Sequence, residues 1–154
     1  LNNTQEDFEK QLDFLLNVRD EVSKANQAII DIRNTRKDLN YILNKSNNNA
    51  DINSLIDKFL NELSVIENNI HMTKNQSRQD PLNYGIRINN RLAFLMADSQ
   101  RGDYPPTDQS LEFFEEVKKE LNFELNNLQM ISKKYINSIN SSVLDNGIKF
   151  IDNY

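Results

Sequence analysis

One histidine, His71, and a ladder of carboxylates at Glu116, Glu120 and Glu124 are the residues whose type and spacing first suggest chemistry. A di-iron centre of the helical-bundle kind needs several inward carboxylates together with Glu-x-x-His pairs. Glu67 precedes His71 by four positions rather than three, and His71 falls at the wet end of a helical pattern. A surface or boundary histidine is the expectation there, with no metal ligand set. Carboxylates at i, i+4 and i+8 could hold a hard cation. Otherwise they repel by roughly a few tenths of a kcal/mol per pair. Lys118 and Lys119 would relieve that repulsion, so the plainer expectation for the ladder is a solvated face.

Nucleophilic and hydrolytic chemistry find little footing. A Ser-His-Asp triad would have to use His71, and no nucleophile elbow or glycine-rich oxyanion loop accompanies it. A pair of acids for glycoside hydrolysis needs a concave cleft, which slender bundles rarely offer. No phosphate-cradling glycine loop is present. Arg101-Gly102-Asp103 matches an integrin-type tripeptide, but three residues recur by chance, and the plain role is a turn. Asn-x-Ser/Thr triplets such as Asn75-Gln76-Ser77 carry little information in so asparagine-rich a chain. No catalytic residue, cofactor site or metal site is therefore assigned.

The most distinctive text is Tyr84-Gly85-Ile86-Arg87-Ile88-Asn89-Asn90-Arg91-Leu92, followed by Gly102-Asp103-Tyr104-Pro105-Pro106-Thr107. Arg87 and Arg91 stand one helical turn apart and form a small basic edge. Asn89 and Asn90 place amides beside an apolar face, where they are expected to bond neighbouring groups. Arginine stems can cover apolar surface while the guanidinium reaches a partner. The reading is bracing for Asn89 and Asn90 and docking for the two arginines. An arginine buried and paired within the chain would mean bracing instead. Tyr84, Asp103 and Thr107 complete this candidate docking and bracing corner.

The elements that position these residues follow from periodicity. Leu15, Val18, Val22, Ala25, Ile29, Ile32, Leu39 and Leu43 alternate steps of three and four, interrupted only at Arg36. That spacing stacks them into one seam on a helix of about 40 residues, about 60 Å long, which needs partner helices to bury it. It is expected to start at Thr4, with Asp7 completing a capping box, and to run to Lys45. Ser46 to Asn49 reads as the turn, and Asp51 as a cap for helix two. Ile52, Ile56, Phe59, Leu63, Ile66 and Ile70 form the next stripe, on a helix ending near Lys74. Asn75 to Asn83 reads as a loop. A short third helix spans about Ile86 to Ser99, with Ile88, Leu92, Leu95 and Met96 inward and Phe94 flanking. Thr107 caps a fourth helix in which Phe114, Leu121, Leu128 and Tyr135 recur every seven residues. Leu111, Val117, Leu125, Ile131 and Ile139 widen that stripe, and the helix should reach about Ser141.

The expected fold is all-α: an up-down-up-down four-helix bundle with long first and fourth helices and a short third. The alternative is a three-legged bundle in which helices two and three stack end to end, since their summed length matches helix one. One helical domain is expected over 1–144, with a tail at 145–154. Composition agrees, with three glycines, three prolines and no cysteine in 154 residues, and a mean hydropathy of −0.70. That is too little turn chemistry for a sheet-rich fold. A net charge of −5 argues against a nucleic-acid partner, which requires clustered Lys and Arg. No apolar run approaches the ~20 residues that span a bilayer, so no membrane insertion is expected. The chain opens at Leu1 without an initiator methionine and reads as a fragment or a processed chain.

The stretch from Tyr84 to Thr107 resembles the C-terminal helical region of large secreted bacterial proteins built on sortilin-like β-propellers with neuraminidase-type repeats, often labelled glycosyl hydrolases. That pattern reads roughly Tyr-Pro-Ile-Lys/Arg-Leu-Asn-Asn-Lys/Arg-Leu, then Gly-Asp-x-x-Pro-Thr-x-Gln, then an amphipathic helix. Tyr84, Ile86, Arg87, Asn89, Asn90, Arg91 and Leu92 match it, as do Gly102, Asp103, Pro106 and Thr107. Gly85 stands where proline is usual, and Ile88 where leucine is usual. The resemblance covers about residues 80 to 130, and the first two helices only in kind. It implies a non-catalytic helical structural or docking domain of a larger exported protein, extracellular or in the cell envelope. Its partners would be other domains of the same chain, and any glycan-directed activity would lie in the propellers. The rivals are a helical adaptor that self-associates through the seam of helix one, and a bundle-type metal enzyme.

Overall fold

A computed structural model describes residues 3–46, 49–74, 77 and 81–144, and these are helical almost throughout, with no strand among them. The elements are α1 (Gln5–Lys45), α2 (Ala50–Ile70), α3 (Pro81–Tyr84), α4 (Ile88–Ser99) and α5 (Asp108–Leu144). As expected, this is an all-α bundle of four packed helices with long first and last members; α3 is a single turn. The tail expected over 145–154 lies outside the described residues.

Local chemistry sets the ends. Thr4 Oγ1 accepts from the Asp7 N–H at 3.3 Å, and the Thr4 N–H donates to Asp7 Oδ2 at 2.9 Å, a reciprocal box that satisfies two orphan donors. Asn49, not Asp51, caps α2: its Oδ1 accepts from the Asp51 and Ile52 N–H groups. α2 ends at Ile70, short of Lys74, where His71 turns extended while its N–H still reaches the Glu67 carbonyl at 2.8 Å. α4 starts at Ile88 rather than Ile86, because Gly85 at φ +77° and extended Arg87 separate it from α3. Thr107 Oγ1 accepts from the Ser110 N–H at 3.2 Å and caps α5.

Cross-helix bonds give the topology. Arg36 of α1 meets Glu67 of α2, Asn26 meets Asn89 of α4, and Gln11 meets the Ser99 carbonyl at the end of α4. Moving back along α1 therefore runs forward through α2 and then through α4. Both lie antiparallel to α1, on its second and first halves. α5 runs the other way, from Phe114 against Phe14 to Glu124 against Asn69 and Tyr135 against Glu62. The bundle takes the stacked arrangement weighed as the alternative, with α1 and α5 as two long legs and α2 followed by α4 as the third. The physical reason is length, since neither short helix can cover the seam of α1 alone.

The seam itself is turned by part of a residue step. Phe14, Val18, Glu21, Ala25, Ala28, Ile32, Thr35, Leu39 and Ile42 are buried in an alternation of four and three, and the expected Ile29 is buried beside Ala28. Every second expected member (Val18, Ala25, Ile32, Leu39) holds its place; Val22 and Leu43 pack at the edge. On α2 all six expected residues are buried. On α5, Phe114, Val117, Leu121, Tyr135 and Ile139 are buried, Leu125, Leu128 and Ile131 are partly covered, and Leu111 is exposed. The partial cover has a cause: α1 and α5 meet less extensively than either meets α2 or α4, leaving a groove of about 490 Å³ beside Thr35, Leu125, Leu128 and Ile136.

Candidate functional site: the waist where the third leg is broken

The break between α2 and α4 falls at mid-length, and charged groups gather around it. Glu67, near the end of α2, accepts from Arg33 Nε at 3.1 Å and Arg36 Nη2 at 2.7 Å, tying α1 to α2. Glu120 of α5 takes a two-pronged bond from Arg91 of α4: Nη1 donates to Oε1 at 3.0 Å, and Nη2 donates to Oε2. Such a planar fork on a carboxylate fixes direction as well as charge. Glu124, one turn on, is buried and accepts from Asn69 Nδ2 at 2.9 Å. The carboxylate ladder is thus no uniform solvated face. Glu116 is exposed, Glu120 is paired and Glu124 is buried. Lys118 sits near Glu115, at 3.7 Å, rather than within the ladder.

The corner residues divide by role. Arg91, with its side chain 24% exposed, is used within the chain, so the docking expected of both arginines does not apply to it. Asn89 Nδ2 donates to Asn26 Oδ1 at 3.0 Å and braces α4 against α1. Asn90 is exposed. Arg87 is half-buried, its Nε is buried without a partner, and among the described residues it forms no ion pair. Tyr84 and Ile86 beside it are exposed. Asp103 is exposed at the far end of α4, well away from Arg87. Its loop is held by Gln11 Nε2, which donates to the Gly102 carbonyl at 2.6 Å. Gly102 sits at φ +145°, and a Cβ there would fall 2.3 Å from the Tyr104 ring, so the Arg-Gly-Asp triplet serves a tight corner.

Arg87, Ile88 and Arg91 line a cavity of about 440 Å³ with Lys119, Glu120 and Phe123 of α5; Asn69, Ile86 and Glu124 complete it. Sequence reasoning missed the α5 side of this site. Arg91 and Glu120 stand 29 residues apart on different helices, and no local spacing joins them. Phe123 was outside the expected stripe, and that was the one available signal: a phenylalanine on the polar face of an amphipathic helix.

Elsewhere, Tyr135 Oη donates to Glu62 Oε1 at 2.5 Å, and its ring stacks on Phe59 at 5.0 Å. The bond to Glu62, reinforced by burial, raises the phenol above its ordinary range. The Thr4 backbone N–H holds Asp7 below the usual carboxylate range. His71 is half-buried at the end of α2. Among the described residues no group of three His, Cys, Asp or Glu side chains is placed to hold a metal ion, and no helix is long and apolar enough to cross a membrane. No family model, curated protein or solved structure matches the chain.

Proposed function

We propose that this bundle is a non-catalytic structural and docking module of a larger exported bacterial protein, held against other domains of the same chain. The observation that carries the reading is the exposed apolar edge at the waist. Ile86 and Phe123 are each 63% exposed and line a cavity in which Arg87 Nε is buried without a partner. Apolar side chains converging on an unspent cation form the kind of surface that a partner covers. The resemblance at Tyr84 to Leu92 and Gly102 to Thr107 supports a setting beside sortilin-like β-propellers of the sort labelled glycosyl hydrolases. The carboxylates that could have served chemistry support a structural role, since Glu62, Glu67, Glu120 and Glu124 are each engaged by another helix or its side chains. A self-associating adaptor is less favoured, because the seam of α1 is already covered by its own chain.

The test is hydrogen exchange on the longer native chain beside the 154-residue chain. Docking predicts slower exchange at residues 86–90 and around Phe123 in the longer chain. Equal rates there would reject it.

A further inference from the structure

We propose that the waist cavity binds an acidic peptide segment, with a carboxylate seated on Arg87 and an adjoining aliphatic side chain between Ile86 and Phe123. This rests on the docking reading and names the partner's chemistry.

Charge accounting comes first. Three cations and two carboxylates line the cavity. Glu120 is paired with Arg91, whereas Glu124 is hydrogen-bonded by the neutral amide of Asn69 and keeps its charge. The lining therefore carries an excess of one positive charge, and among the described residues neither Arg87 nor Lys119 makes an ion pair. On a chain of net charge −5, this is a local positive site within an acidic surface. It favours an anionic segment over a basic one and gives it a place to go.

Arg87 is also set apart from the other interhelical arginines. Arg33 and Arg36 hold Glu67, and Arg91 holds Glu120. Arg87 Nε is buried without an acceptor, a state that costs free energy unless something fills it. A carboxylate fits a guanidinium edge with two parallel bonds and would fill it. The start of α4 adds to the attraction. Arg87 is its N-terminal boundary residue and makes no side-chain cap bond, so the positive end of that helix lies beside the same guanidinium.

The apolar part selects a peptide over a small anion. Ile86 and Phe123 rise at the rim, and an aliphatic residue next to an aspartate or glutamate would cover both. Inorganic phosphate or acetate would gain nothing from them.

The experiment is an NMR titration of the 15N-labelled 154-residue chain with three probes: acetyl-Gly-Leu-Glu-Leu-Gly-amide, the same peptide with glutamine for glutamate, and sodium phosphate. The glutamate peptide is expected to move the Arg87 side-chain Nε–H and the backbone amides of Ile88 and Lys119. Arg87→Gln should weaken its binding at least about fivefold while leaving the rest of the spectrum in place, since the side chain has no internal partner to lose. Phe123→Ser should also weaken the glutamate peptide. Equal binding of the glutamine peptide would overturn the carboxylate assignment. Equal shifts with phosphate would reduce the cavity to a general anion site. No shift at the waist up to about 10 mM peptide would reject the site. Should the peptide fail while the longer chain still shows protection at residues 86–90, docking stands and the acidic chemistry is wrong. Should the peptide bind while the longer chain shows no protection, the site stands and the docking partner is not the chain's own remainder.

Discussion

The two halves of the third leg differ in how they hold onto the same pair of long helices. α2 places Ile52, Ile56, Phe59, Leu63, Ile66 and Ile70 inward over 21 residues. It is fastened to α1 by Glu67 and to α5 by Glu62 and Asn69. α4 has 12 residues and buries Ile88, Leu92 and Leu95. Phe8, Leu12, Leu16, Phe94, Leu111 and Phe113 remain exposed around its half, against Tyr41, Val65, Met130 and Leu144 around the α2 half, so the difference lies in the number of buried positions on the covering helix. The lesson is that one continuous seam on α1 does not imply uniform stability. Burial along the covering leg decides it, and the α4 half should open locally at lower free energy than the α2 half.

The sharpest way to break this comparison is to remove the centre of the stronger half. Phe59→Ala deletes a fully buried ring and its stack on Tyr135, and should cost about 3–5 kcal/mol by urea unfolding. A cost below about 1 kcal/mol would mean that the α2 half is not the anchor.

Glu67→Gln comes next. It removes a buried carboxylate that holds two arginines, but both arginines retain access to water. The expected cost is about 1–2 kcal/mol rather than the larger penalty of a fully buried pair.

Tyr135→Phe keeps the ring stack and loses the bond to Glu62 together with the longer bond that Lys134 Nζ donates to Tyr135 Oη at 3.4 Å, at about 1 kcal/mol near neutral pH. Its sharper signature is alkaline. The folded phenol has a raised pKa, so its contribution is present below the ordinary tyrosine range near pH 10 and is lost as pH rises through the folded value. The native chain should therefore lose more stability than Tyr135→Phe as the pH rises above about 10.

Arg91→Ala, in the weaker half, should have the smallest effect. Glu120 remains substantially exposed and regains water, so the loss should stay within about 1 kcal/mol. Native-state hydrogen exchange should place that loss in α4 rather than α2. A global loss would show that the halves are one cooperative unit.

What sequence reasoning could see tracks what kind of signal each residue emits. The apolar stripe of α2 was legible residue by residue because its six members are all large; the buried Glu67 beside them was not. The seam of α1 was placed about half a step off because its true line includes Glu21, Ala28 and Thr35. Hydrophobicity passes over such residues in favour of Val22 and Leu43 beside them. Glu21, 4% exposed, bonds Lys24 at 2.7 Å, and a buried carboxylate of this kind is invisible to an apolar count. The lengths of helices two and three carried the end-to-end arrangement, which periodicity alone could not choose. At the waist, the asparagine and arginine edge of α4 was legible from its spacing. The answering face of α5 was not, because the pairing depends on where two distant helices cross.

The broken third leg has a consequence for how this domain can change over generations. α1 and α5 are unbroken and must keep their register, so adding residues inside either would shift every core position beyond the addition. Between α2 and α4 the described residues hold only the single turn α3, with Met72 buried just after α2, and no long helix runs through the connection. The closure cost of a connection grows slowly with its length, about 0.6 kcal/mol per doubling. New sequence is therefore best tolerated there, and it would emerge beside Arg87 and the waist cavity.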